Sequence, residues 1–172
     1  DVVNVRPSAD GKSAKLTRFM TGFQEGSDSY KFWGRPAYVA QMPDGALLVP
    51  IYFRGPTGSD FSVTVVRASF DGAAMKYLEH GDELALEGGR GLCEPSLALV
   101  GDTYYLTLRN DARGYVTTSR DGLHFAPIKP WTFDDGQELG SYNTQQHWLV
   151  HGERLYLAYT RRGANNDHIV RN

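Results

Sequence analysis

Cysteine is nearly absent from this chain: Cys93 stands alone among 172 residues. One thiol can form neither an internal disulfide framework nor a Cys-based zinc site. Long apolar runs are missing too, so nothing reads as a membrane-spanning helix. Charge of one sign is not in excess, with 18 Lys+Arg against 20 Asp+Glu. Neither a nucleic-acid partner nor an anionic membrane surface is therefore expected. No His/Asp/Glu spacing suits a metal ion, no Gly-rich loop cradles phosphate, and no Ser-His-Asp elbow is present. The expectation is a protein with no metal and no cofactor. The sequence opens on Asp1 rather than Met, which points to a processed or cropped chain.

What the chain does have is turns and β-formers. Its 19 glycines and 10 tyrosines, with few Leu/Ala/Glu/Lys stretches, favour an all-β class. Three short stretches repeat: "VRPSADG" from Val5, "VRASFDG" from Val66 and "VTTSRDG" from Val116. A second unit alternates with them, an apolar run, a tight turn and another apolar run. It reads "AYVAQMPDGALLVPIYFRG", "SLALVGDTYYLTLRND" and "HWLVHGERLYLAYTRRG", and each copy is a hairpin signal.

Each repeat thus reads as strand, turn, strand, loop, strand, Asp-Gly turn and a weaker fourth strand. Four strands in about 50 residues is the arithmetic of a β-propeller blade. The expected fold is all-β, a single propeller segment over 1–172 with repeats near 5–65, 66–115 and 116–169. First strands are expected near 36–42, 95–100 and 147–151. "HIVRN" near the C-terminus reads as the start of another third strand. Closure takes at least about four blades, so the rest of a five- or six-bladed ring is expected from missing blades or a partner chain.

"SRDGLHF", which ends on Phe125, resembles a one-residue-shorter form of the Asp-box of sialidases and related BNR-repeat propellers. In that motif the Asp accepts turn N–H groups and Gly takes φ > 0. Asp10, Asp71 and Asp121 are accordingly read as structural. If the strands run up and down, ligand chemistry belongs at the opposite end of the sheets.

At that end the repeats differ in "WGRPAY", "GLCEPSL" and "TQQHWLV", which align Arg35, Glu94 and Gln146. Arg35 sits where the sialidase resemblance puts a substrate-binding arginine, although the isoleucine of the Arg-Ile-Pro motif is missing. "CEPS" is similar to the acidic-residue-before-Pro motifs of the five-bladed β-fructosidase and arabinanase propellers, which makes Glu94 the first choice for a functional carboxylate. A plain Arg35–Glu94 ion pair plugging the channel is the alternative.

The second strands end on Arg54, Arg109 and Arg161, the middle one out of register by one residue. Guanidiniums gathered at one mouth suit a planar carboxylate, as in the arginine triad of sialidases. Strand-end arginines that reach solvent are the competing reading. The loop "WTFDDGQELGSYNTQQHW" offers Tyr142, Asn143, Gln146, His147 and Trp148 to a sugar, by stacking and by hydrogen bonding. The resemblance gives Tyr142 the part of nucleophile, with Glu94 or Glu138 beside it.

The function implied is a carbohydrate-active propeller, a sialidase-like glycoside hydrolase acting on an acidic glycan in an extracellular or periplasmic setting. The catalytic candidates are Glu94 and Tyr142. The binding candidates are Arg35, Arg54, Arg109, Arg161, Asn143, Gln146, His147 and Trp148. A non-catalytic glycan- or protein-binding propeller, or a polysaccharide lyase with Tyr142 or His147 as base, remains open.

Overall fold

Alternating β-formers broken by Gly-containing turns leave no room for helix, and a computed structural model bears this out. It describes residues 2–7, 14–20, 31–32, 40–42, 44–55, 58, 60–139 and 145–159, none of them helical. The chain is all-β, with antiparallel pairing between its strands.

A first hairpin joins β1 (Val2–Pro7) to β2 (Ala14–Met20). A five-stranded sheet follows, built from β3 (Lys31–Phe32), β4 (Ala40–Gln41), β5 (Leu47–Arg54), β6 (Ser62–Phe70) and β7 (Met75–His80). Next comes a four-stranded meander of β8 (Cys93–Val100), β9 (Thr103–Arg109), β10 (Gly114–Ser119) and β11 (Lys129–Pro130). The hairpin β12 (His147–His151) and β13 (Arg154–Ala158) completes the described strands.

The first strands expected from sequence correspond to β4, β8 and β12. In the five-stranded sheet that edge is split, because β4 pairs with β5 at Leu47 and Leu48 while β3 pairs with it at Phe53 and Arg54. Between them lies Pro50, which has no N–H to give a ladder. No sheet closes on itself among the described residues.

Asp-Gly turns join third to fourth strands, as the repeat requires. Asp71 follows β6 and its Oδ1 accepts the N–H groups of Ala73 and Ala74, both at 2.8 Å. Asp121 follows β10, and its Oδ1 accepts the N–H of Leu123 at 2.9 Å, that of His124 at 2.8 Å and the Ser119 hydroxyl at 2.9 Å. Gly122 takes φ 77°, which a side chain would resist. The turn buries Leu123 in the core and packs Phe125 against it. Both acids are structural stitches; Asp10 lies outside the described residues.

The sheets stack face to face. Leu48, Val63 and Val65 of one sheet meet Leu97, Tyr104, Leu106 and Leu108 of the next, with Leu92 and Leu123 completing the core. On its other face the meander receives β12. There Trp148 meets Tyr105 at 6.3 Å and Trp131 at 5.3 Å between ring centres, and its N–H reaches Ser96 Oγ at 3.2 Å. The close fit between the first two sheets is visible at Gly81, where a Cβ would collide with the Leu123 backbone.

Strand pairing places Cys93 level with Arg109 and Gly114, and Tyr104 level with Ser119. Glu94 and the Asp121 turn therefore lie at opposite ends of the meander, as expected.

Candidate functional site

The site is built on an irregularity at the start of β8. Pairing with β9 shifts between Cys93 and Ser96, a bulge that holds Glu94 and Pro95. Such an extra residue re-aims a side chain. Glu94 has φ 48°, and it is the non-glycine residue with positive φ among those described. A residue before proline disfavours helical backbone and prefers the extended region, so this conformation is held by its surroundings. Strain of this kind costs about 1–3 kcal/mol and concentrates at functional positions.

What holds it is charge. Oε2 of Glu94 accepts Nε of Arg109 at 2.6 Å. The Arg109 side chain is only 3% exposed, that of Glu94 18%. Nη1 of Arg109 reaches Oδ1 of Asp111 at 3.3 Å, and the same carboxylate accepts Nε and Nη2 of Arg90 at 2.9 and 2.7 Å. Positive and negative groups thus alternate through Arg90, Asp111, Arg109 and Glu94. The hydrogen bond from Arg90 holds the Asp111 carboxyl below the usual carboxylate range, and Asp111 in turn raises Arg90. Asn110 fixes the adjoining loop, its amide donating to the carbonyls of Gly88 at 3.0 Å and Gly91 at 2.8 Å.

Around this chain lies a cavity of about 100 Å³ lined by Tyr52, Phe61, Arg90, Cys93, Glu94 and Arg109. Tyr52 meets Phe61 edge-on at 5.2 Å. The Arg54 guanidinium sits 4.1 Å above the Phe61 ring, a cation–π arrangement. Its Nε is buried with no hydrogen-bond partner among the described residues. Cys93 is buried, and that burial pushes its thiol up. The cavity therefore combines a carboxylate acceptor, guanidinium donors and aromatic rings, the groups that bond hydroxyls and cover sugar faces. No cluster of three or more metal-ligating side chains occurs among the described residues.

The arrangement brings together Glu94, Arg109 and Arg54 of the expected site. Arg109 is neutralised by Glu94 and Asp111, so the expectation that Glu94 alone opposes the arginines does not hold. Gln146 and Trp148 lie elsewhere, inside the contact between sheets. Gln146 is 2% exposed, and its Oε1 accepts the Thr107 hydroxyl at 3.1 Å. Thr107 Oγ1 also accepts Nε1 of Trp131 at 3.0 Å. His147 is half-buried beside Gln145, at 3.3 Å. Glu138, the alternative partner for Tyr142, is bound at the surface by Arg113 at 2.8 Å. Arg35, Tyr142, Asn143 and Arg161 lie outside the described residues.

Sequence reasoning missed Tyr52, Phe61, Arg90 and Asp111. Asp111 carries a local signal, since "RND" ends the second strand of its repeat just after Arg109. An open cleft of about 420 Å³ lies at the other end, by Thr103, Ser119, Asp121 and His124; it belongs to the turn.

The chain matches no protein-family model, no curated protein and no solved structure.

Proposed function

We propose that these sheets are blades of a sialidase-like β-propeller and that the Glu94 end is its glycan-binding mouth, acting in glycoside hydrolysis on an acidic sugar. The observation that carries this reading is Glu94 itself, in a strained backbone at the head of β8 and ion-paired with a buried arginine. Fold maintenance gives no reason to put a carboxylate there, because an apolar residue would spare both the strain and the desolvation of Arg109.

An ion-paired carboxylate accepts hydrogen bonds and has no proton to give. Glu94 thus serves as the negative partner: it stabilises positive charge at the sugar or draws the proton from a nucleophile. The general acid comes from another group. Tyr52 shares the cavity with Glu94, and Tyr142 remains the candidate suggested by the resemblance. Arg54 and Arg35 supply donors for the sugar carboxylate.

A non-catalytic glycan-binding propeller is the second reading. It is favoured by one observation, that Glu94 and Asp111 are both engaged with arginines. The two separate on Glu94→Gln, assayed on a fluorogenic sialoside or uronide. Hydrolysis predicts a loss of about 10²-fold or more in turnover; a pure binding site shows no turnover in either protein and a changed affinity.

A further inference from the structure

The hairpin β12–β13 repeats the register of β8–β9 residue for residue. Leu97 pairs with Leu106 in one, and Trp148 with Leu157 in the other; Ala98 pairs with Tyr105, and Leu149 with Tyr156. Leu97, Tyr104 and Leu106 face the preceding sheet, and Trp148 likewise faces back onto the meander. The Ala98–Tyr105 side of the meander faces forward, and the next hairpin covers it: Ala98 is 2% exposed and Tyr105 meets Trp148.

The equivalent side of β12–β13 is open. Leu149 is 57% exposed and Tyr156 46%. Their neighbours on that side are His147, His151, Arg154 and Ala158, with no carboxylate on either strand. An apolar centre with a single fixed cation at its edge asks for an apolar partner, and cross-strand apolar pairs on bare sheet faces mark interaction surfaces.

We propose that the Leu149–Tyr156 face is covered by a β-sheet of a second copy of this chain. The established sheet-on-sheet contact defines the occupant, a sheet offering bulky apolar side chains at alternate positions in the manner of Leu97 and Trp148. This chain carries that pattern. The face can also meet its own copy about a two-fold axis, which closes the pair instead of propagating it. The inference rests on strand register and stands apart from the glycan reading.

Hydroxyl-radical footprinting of the unaltered chain across a concentration series tests it, with sedimentation velocity on the same samples. Tyr77, 50% exposed on β7, is the internal control. The expected result is a concentration-dependent dimer in which Leu149 and Tyr156 become protected severalfold while Tyr77 stays reactive. Leu149→Lys should return the dimer to monomer. A monomer at every concentration, or a dimer in which Leu149 and Tyr156 stay fully reactive, overturns the proposal.

Discussion

Arg109 donates its Nε to Glu94 at 2.6 Å from a side chain that is 3% exposed. A guanidinium buried this far tolerates the loss of its partners poorly, because an uncompensated buried charge costs about 3–5 kcal/mol. Arg109→Met leaves Glu94 and Asp111 without their shared cation, though both reach solvent. A loss of about 2–4 kcal/mol in urea unfolding is expected. A loss below about 0.5 kcal/mol, the level of an ordinary surface change, contradicts the buried-pair account.

The backbone of Glu94 makes a separate prediction. At φ 48° any Cβ is penalised, whereas glycine is not. Both Glu94→Gly and Glu94→Ala remove the carboxylate, so their difference reads the backbone alone. The glycine variant should be the more stable by about 1–2 kcal/mol. Equal stability, or a more stable alanine variant, would remove the strain argument.

The Asp121 turn gives the pH dependence. Partial burial pushes the Asp121 carboxyl up, but the His124 N–H and ring, the Leu123 N–H and the Ser119 hydroxyl outweigh it and hold it well below the usual range. Its stabilisation is present above the unfolded value of about 3.9 and is lost as pH falls through the acid range. The hydrogen bond to Asp121 raises His124, so that contribution is full below about 6.5 and fades as pH rises through the folded value. Thermal melts from pH 5 to 9 should show a shallow alkaline decline that His124→Ala removes. An unchanged decline would assign it to other groups.

Close sheet packing is tested at Gly81. A Cβ there would collide with the Leu123 backbone, whereas Gly55 has nothing within 4 Å. Gly81→Ala should cost about 1–3 kcal/mol or more through forced backbone shifts, and Gly55→Ala close to nothing. Similar costs for both would mean that the sheets do not meet there.

Much of this was readable in the sequence. The Asp-Gly turns repeat because one local geometry demands the same residues each time, and hairpin alternation fixes the strands around them. Glu94 stood out because repeats that share a fold disagreed at its position. The faces were harder. Gln146 and Trp148 sit near the mouth in an alignment of repeats, but alternate strand residues point to opposite sides, and both turn into the sheet contact. Arg90 and Asp111 come from loops, where no period places them, and Tyr52 and Phe61 come from a neighbouring sheet. Their convergence on Glu94 follows from stacking, which strand patterns do not encode.

The central claim is that the Glu94 end recognises an acidic sugar, and paired calorimetric titrations of sialic or uronic acid glycosides and their neutral counterparts test it most directly. Buried donors such as Arg54 Nε are left unpaired by a neutral ligand, at a cost of about 1–3 kcal/mol. The account predicts at least about tenfold tighter binding of the acidic glycoside, lost in Arg54→Ala. Equal affinity for acidic and neutral sugars, unaffected by Arg54→Ala, would contradict it.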